Sequence, residues 1–129
     1  MIIEHIGLAV NAPHSMADWY IQHLGFQMRF GGGSDQDGLA FIADPAQDVM
    51  LELFRNPVTP PMTWEGLAPL SLHFALKSDD PLADSARLIE AGAIFIERNM
   101  RTPNPGDILI LIRDPWGNTI QLVKREKPL

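Results

Sequence analysis

The stretch DPWGNTIQLV, residues 114–123, decides how the rest of the chain is read. Its Asp-Pro start marks a turn, because aspartate bonds to nearby backbone and proline presets φ. The residues after DPWGN alternate. Thr119, Gln121 and Val123 oppose Ile120 and Leu122, the period of a strand with two distinct faces. The stretch DPAQDVMLELF, residues 44–54, follows the same plan. Asp44-Pro45 opens a turn, and Met50, Glu52 and Phe54 then oppose Val49, Leu51 and Leu53.

The elements upstream of the two stretches also match. Before the first come a strand over about residues 2–10, a helix in APHSMADWYIQHLGF, the strand FQMRF, the glycine-rich loop GGGSDQDG and the strand LAFIAD. In that helix Ser15 is the expected N-cap, with Asp18 in the first turn. Met16, Trp19, Tyr20 and Leu24 fall at helical spacing, and Gly25 is the expected stop. Before the second come the strand SLHFALK, a helix in DDPLADSARLIEAGA, the strand IFIERN, the loop RTPNPGD and the strand ILILIR. Asp80 is the expected N-cap of its helix, Pro81 the first helical residue and Gly92 the stop. His5 precedes Gly25 by 20 residues and His73 precedes Gly92 by 19. From His5 to Glu52 is 47 residues; from His73 to Gln121 is 48. Four landmarks in one register point to an internal duplication. The expected organisation is one domain over 1–129, with module one over about 1–56, a proline-rich linker over about 57–69 and module two over about 70–126.

Composition narrows the function. At 46% hydrophobic residues the 129-residue chain has enough apolar surface for a real core. A net charge of −6 opposes binding to a phosphate backbone, so no nucleic-acid partner is expected. No apolar run is long enough to span a bilayer, no signal-peptide pattern is visible at the N-terminus, and a cytoplasmic protein without a membrane partner is expected. The absence of cysteine removes disulfides, thiolate ligands and thiol nucleophiles together.

Strand alternation picks out four polar residues. Ile3, His5, Gly7 and Ala9 share one face of the first strand; Ser71, His73 and Ala75 share one face of SLHFALK. Glu52 and Gln121 occupy the polar faces of the two strands that follow the turns. Taken singly, His5 reads as a structural histidine, and Glu52 and Gln121 as polar strand residues. Brought together, two imidazoles, a carboxylate and an amide oxygen make a usable ligand set for a divalent metal.

The segments HIGLAV, WYIQHLGF, LELF, LHFAL and DPWGNTIQLV resemble those of the vicinal oxygen chelate superfamily, which includes glyoxalase I and the bleomycin resistance proteins. The resemblance implies an α+β fold: two paired βαβββ modules forming a curled, cup-shaped mixed sheet with the helices on its outer face. It implies one divalent metal ion (Ni, Zn, Fe or Mn) held by His5, Glu52, His73 and Gln121. The family's usual residue at the last of these positions is glutamate. An amide oxygen can hold a metal but takes up no proton at neutral pH, which leaves Glu52 as the catalytic base. The implied activity is glyoxalase I-like: isomerisation, through an enediolate, of a small substrate with vicinal oxygens. A thiol–ketoaldehyde adduct is one such substrate, with glutathione or another thiol as co-substrate. The alternative is metal-free binding of a small molecule or drug, as in bleomycin resistance. An epimerase or an extradiol dioxygenase ranks below both, the latter because its carboxylate would stand where this chain has Gln121. Arg29, Arg55, Arg98, Arg101 and Arg113 are candidates for clamping an acidic substrate. The resemblance also implies a homodimer.

Overall fold

The computed structural model describes residues 2–99 and 104–129. The chain divides into two compact units, Met1–Thr63 and Trp64–Leu129, and the division falls within the proline-rich stretch. The first unit contains β1 (His5–Ala9), α1 (Pro13–Leu24), β2 (Gln27–Gly32), β3 (Leu39–Ala43) and β4 (Met50–Phe54). Its four-stranded sheet has the order β1-β4-β3-β2, with β1 and β4 parallel and the other neighbours antiparallel. The second unit opens with a short 3-10 turn at Pro69–Ser71. It continues with β5 (Phe74–Lys77), α2 (Pro81–Glu90), β6 (Ile94–Arg98), β7 (Ile108–Arg113) and β8 (Thr119–Lys124). Its sheet order is β5-β8-β7-β6, again with one parallel pair, β5 and β8. The fold is α+β, built of two βαβββ modules. No helix among the described residues is long and apolar enough to cross a membrane.

Each helix covers one face of its own sheet, and the alternation seen in the sequence says which. In the first unit Leu8, Ala40, Ile42, Leu51 and Leu53 are buried on the helix side, against Met16, Ala17, Trp19 and Tyr20 of α1. In the second unit Ile110, Ile112, Ile120 and Leu122 take that place, against Leu88 of α2. These aliphatic side chains leave the water on folding, which is the main favourable contribution to each module.

The two modules also share their local devices. Asp44 Oδ1 accepts from the backbone N–H of Asp48 at 3.0 Å, and Asp114 Oδ1 from that of Asn118 at 2.8 Å. Within each turn a residue of positive φ, Gln47 or Gly117, donates its N–H to the aspartate carbonyl. The proline after each aspartate lies beside the glycine that follows the helix. A Cβ on Gly25 would meet Pro45 Cγ at 3.6 Å, and one on Gly92 would meet Pro115 Cγ at 3.5 Å. Both glycines also have positive φ, where a side chain is strained. The Asp-Pro turn and the Leu-Gly-Phe stop of the first module are thus two sides of one contact, repeated in the second. Even the irregularity is duplicated: the register shifts between Met28 and Phe30 in β2 and between Phe95 and Glu97 in β6.

Several local expectations need correction. The first strand begins at His5 and not at about residue 2, and the strand expected over SLHFALK begins at Phe74, with Ser71 in the 3-10 turn before it. Asp18 lies beyond the first turn of α1, which holds no acidic residue. Ser15 is not the N-cap of α1, which begins at Pro13 after Ala12, a residue that supplies no side-chain cap. The loop provides the cap instead: Asp35 Oδ1 accepts from the backbone N–H groups of His14 (2.8 Å) and Ser15 (3.1 Å), and Ser15 Oγ donates to Asp35 Oδ2 at 2.5 Å. The Ser15 hydroxyl, reinforced by those two backbone N–H groups, holds the Asp35 carboxyl below the usual carboxylate range. The glycine-rich segment is also less irregular than its composition suggests, because β2 runs through Gly31 and Gly32 to pair with Ala40 and Leu39. Asp80 caps α2 as expected, accepting from Ala83 N–H at 3.1 Å, with Pro81 as first helical residue.

Candidate functional site

The face of each sheet turned away from its helix carries Glu52 and His5 in the first module and Gln121 in the second, while His73 lies just before its strand begins. In the first module one row crosses that face: Phe30 on β2, Phe41 on β3, Glu52 on β4 and Gly7 on β1 are successive register partners. His5 stands two residues before Gly7 and therefore on the same face. Its Nε2 lies 3.5 Å from Glu52 Oε2, and its Nδ1 is hydrogen-bonded to the Glu4 carboxylate. The His5 ring meets Phe41 edge-on at 5.4 Å and 86°, and Phe30 lies 6.5 Å beyond. The His5 and Glu52 side chains are 37% and 26% exposed, so both are partly desolvated yet reachable from solvent. Gly7 makes room for the carboxylate: a Cβ there would stand 3.0 Å from Glu52 Oε2.

In the second module the corresponding row is Glu97 on β6, Leu111 on β7, Gln121 on β8 and Ala75 on β5. His73 precedes Ala75 by two residues, as His5 precedes Gly7. It lies just before the first residue of β5 and is half-buried. The offset between histidine and acid or amide is therefore the same in both modules, though Gln121 is only 9% exposed. The structure brings His5 and Glu52 together within the first module and sets His73 and Gln121 at equivalent stations in the second.

The donor chemistry suits a divalent cation. Two donors on one tetrahedral ion at about 2.0–2.2 Å stand about 3.4 Å apart, and His5 Nε2 and Glu52 Oε2 are separated by 3.5 Å. Among the described residues no three His, Asp or Glu side chains cluster closely enough to hold a metal, and His5 with Glu52 is a pair of donors within reach of one ion.

Three candidate arginines serve backbone or neighbouring side chains. Arg29 Nη1 donates to Gln47 Oε1 at 2.6 Å, Arg55 Nη1 to the Asn11 carbonyl at 2.9 Å and Arg113 Nη2 to the Leu67 carbonyl at 3.2 Å. Arg98 lies exposed on β6, and Arg101 is outside the described residues. Sequence reasoning missed Glu4, Phe30 and Phe41. Glu4 was visible as the neighbour of His5, but alternation assigned it to the opposite face. The two phenylalanines fall into one row with Glu52 only through the register of three strands.

The family model described as Glyoxalase/Bleomycin resistance protein/Dioxygenase superfamily matches residues 2–122, nearly the whole chain. The chain belongs to this superfamily. Solved structures of the glyoxalase/bleomycin resistance/dioxygenase fold superpose along almost all of it. A glyoxalase family protein from Bacillus cereus is 16% identical with a TM-score of 0.77, covering 95% of this chain and 93% of its own. A superfamily member from Sphaerobacter thermophilus is 19% identical with a TM-score of 0.70, covering 97% and 98%. TnmS3, an antibiotic binding protein from Streptomyces sp. CB03234, is 25% identical with a TM-score of 0.65, covering 95% and 93%. No curated protein matches the chain.

Proposed function

We propose that this superfamily member is a glyoxalase I-like isomerase acting on a small substrate with vicinal oxygens, such as a thiol–ketoaldehyde adduct. In this reading His5 and Glu52 of one module and His73 and Gln121 of another, from the same chain or a partner copy in a homodimer, share one divalent cation. The observation that carries it is the repeated register. Each module has a histidine two residues before the cross-strand partner of an acid or amide: His5 before Gly7, which pairs with Glu52, and His73 before Ala75, which pairs with Gln121.

The cation would supply Lewis acidity toward the substrate's paired oxygens. The chain's own residues do the rest. Glu52 takes the proton from the substrate carbon and returns it to the neighbouring carbon, because Gln121 cannot accept one. His5 and His73 anchor without moving protons. The Phe41 ring lies edge-on against His5, with Phe30 beyond it, and gives the polar pair an aromatic flank. Replacing Glu52 with Gln keeps a ligand oxygen and removes the base. Turnover of the glutathione–methylglyoxal adduct should fall by about 10²–10⁴-fold or more while the metal is retained; an unchanged kcat in the metal-loaded variant sinks the assignment.

A second reading is metal-free binding of a small molecule. Likeness to an antibiotic binding protein at 25% identity favours it, as does the exposed Phe30 beside the half-buried Phe41. Metal content after purification, with titration by Ni(II), Zn(II) and Fe(II), separates the two: stoichiometric uptake supports the isomerase, and none at all favours the binder.

A further inference from the structure

Resting on the metal-site reading above, we infer that Glu4 is a positioning residue: its carboxylate holds the Nδ1–H of His5 and so keeps the Nε2 lone pair turned toward Glu52. His5 lies between two carboxylates. Glu4 is hydrogen-bonded to Nδ1, whereas Glu52 Oε2 stands 3.5 Å from Nε2, beyond an ordinary N–H···O distance. A neutral imidazole has one N–H and one lone pair. The bonded side takes the N–H, so the lone pair confronts the second carboxylate. Two electron-rich atoms facing each other repel, and a cation between them turns the repulsion into two bonds. An outer carboxylate on the far nitrogen fixes ring orientation and raises the donor strength of the near one.

Glu4 is well placed for this and for little else. Its side chain is 67% exposed, so it packs no core and its replacement leaves the fold intact. The second module has no counterpart: Leu72 precedes His73, so outer carboxylate support of this kind belongs to the first module's histidine.

The test needs no substrate. Long-range proton–nitrogen NMR of the metal-free protein at about pH 8, above the ordinary imidazole range, reports which ring nitrogen of His5 carries hydrogen. The wild type should show the Nδ1–H form. Glu4→Ala should revert to Nε2–H, and Glu4→Gln, which keeps a neutral acceptor, should fall between. Competition with a chelating dye should show Zn(II) binding weakened about 10- to 100-fold in Glu4→Ala and less in Glu4→Gln. An Nε2–H imidazole in the wild type, or equal zinc affinity in Glu4→Ala, overturns the role of Glu4 alone. A wild type with the Nδ1–H form that takes up no zinc, nickel or iron overturns the metal site itself and the role of Glu4 with it.

Discussion

Across the open face of the first sheet runs Phe30, Phe41, Glu52, Gly7; across the equivalent line of the second runs Glu97, Leu111, Gln121, Ala75. The helix-side faces of the two modules are interchangeable in kind, aliphatic and buried. The turns, the glycine–proline contacts and the strand bulge are also held in common. The open faces differ at every step. Backbone devices and the packed face answer to folding, which both modules must satisfy alike. The open face answers to whatever it meets, and there the copies have parted. The first module keeps an acid, a free edge of space beside it and two aromatic rings. The second has an amide, a methyl group and a buried leucine at those inner stations, and an exposed acid, Glu97, only at its edge strand.

The shared turn should give the largest effect, and an unequal one. Asp114 is almost wholly buried and accepts from Trp116 N–H, Asn118 N–H and Asn118 Nδ2. Asp114→Ala strands those donors, and chemical denaturation should show a loss of about 3 kcal/mol. Asp44 accepts from two backbone groups at a more open turn, and Asp44→Ala should cost about 1 kcal/mol. Equal losses would mean that the two turns are not unequal partners.

Gly7→Ala makes the first row like the second at its last position. The added methyl would stand 3.0 Å from the Glu52 carboxylate, which must move. Cation affinity should fall about tenfold, the equivalent of about 1.4 kcal/mol of misfit, while the melting temperature barely changes. Unaltered zinc affinity in a calorimetric titration would show that Glu52 does not need that space.

Both helices begin beside a serine–aspartate pair. Ser15 bonds Asp35, and Ser78 Oγ donates to Asp84 Oδ2 at 2.6 Å. Ser78, with Arg87 behind it, holds the Asp84 carboxyl below its ordinary range, as Ser15 does for Asp35. A carboxyl whose folded pKa is depressed stabilises the fold above its unfolded pKa of about 3.9. That stabilisation is lost as pH falls through the folded value. Ser15→Ala and Ser78→Ala should each lose about 0.5–1 kcal/mol at neutral pH. The gap from wild type should close below about pH 4. A gap that stays constant down to pH 2.5 in thermal melts would deny the carboxyls this part.

Phe30→Ala, like Gly7→Ala, should leave stability almost unchanged. Phe30 is 60% exposed on the edge strand, so folding should change by less than about 0.5 kcal/mol. Adducts with an aromatic group should lose affinity relative to methyl ones. Parallel losses for both would break the link between the aromatic row and the ligand.

How much was legible in advance follows from the range of the interactions involved. The turn DPWGN, the cap at Asp80 and the alternation of TIQLV are local, and local sequence reports them directly. The equivalence of His5 with His73 and of Glu52 with Gln121 could be counted along the chain, because the repeat preserves spacing. Asp35 could not be assigned to the start of α1, since 20 residues separate it from Ser15 and a glycine-rich loop brings it back. The contact of Glu4 was hidden for a different reason: alternation sets it opposite His5, yet it lies just before β1 begins and its carboxylate reaches His5 Nδ1.

By itself the sequence determined the order of elements, the duplication and which face of each strand is aliphatic, since these depend on neighbours within a few residues. Only the tertiary structure decided that Phe30 and Phe41 stand in line with Glu52, and that His5 is held between Glu4 and Glu52 above the gap left by Gly7. Those relations depend on strand register and on distances across the sheet, which side-chain periodicity along one strand does not encode.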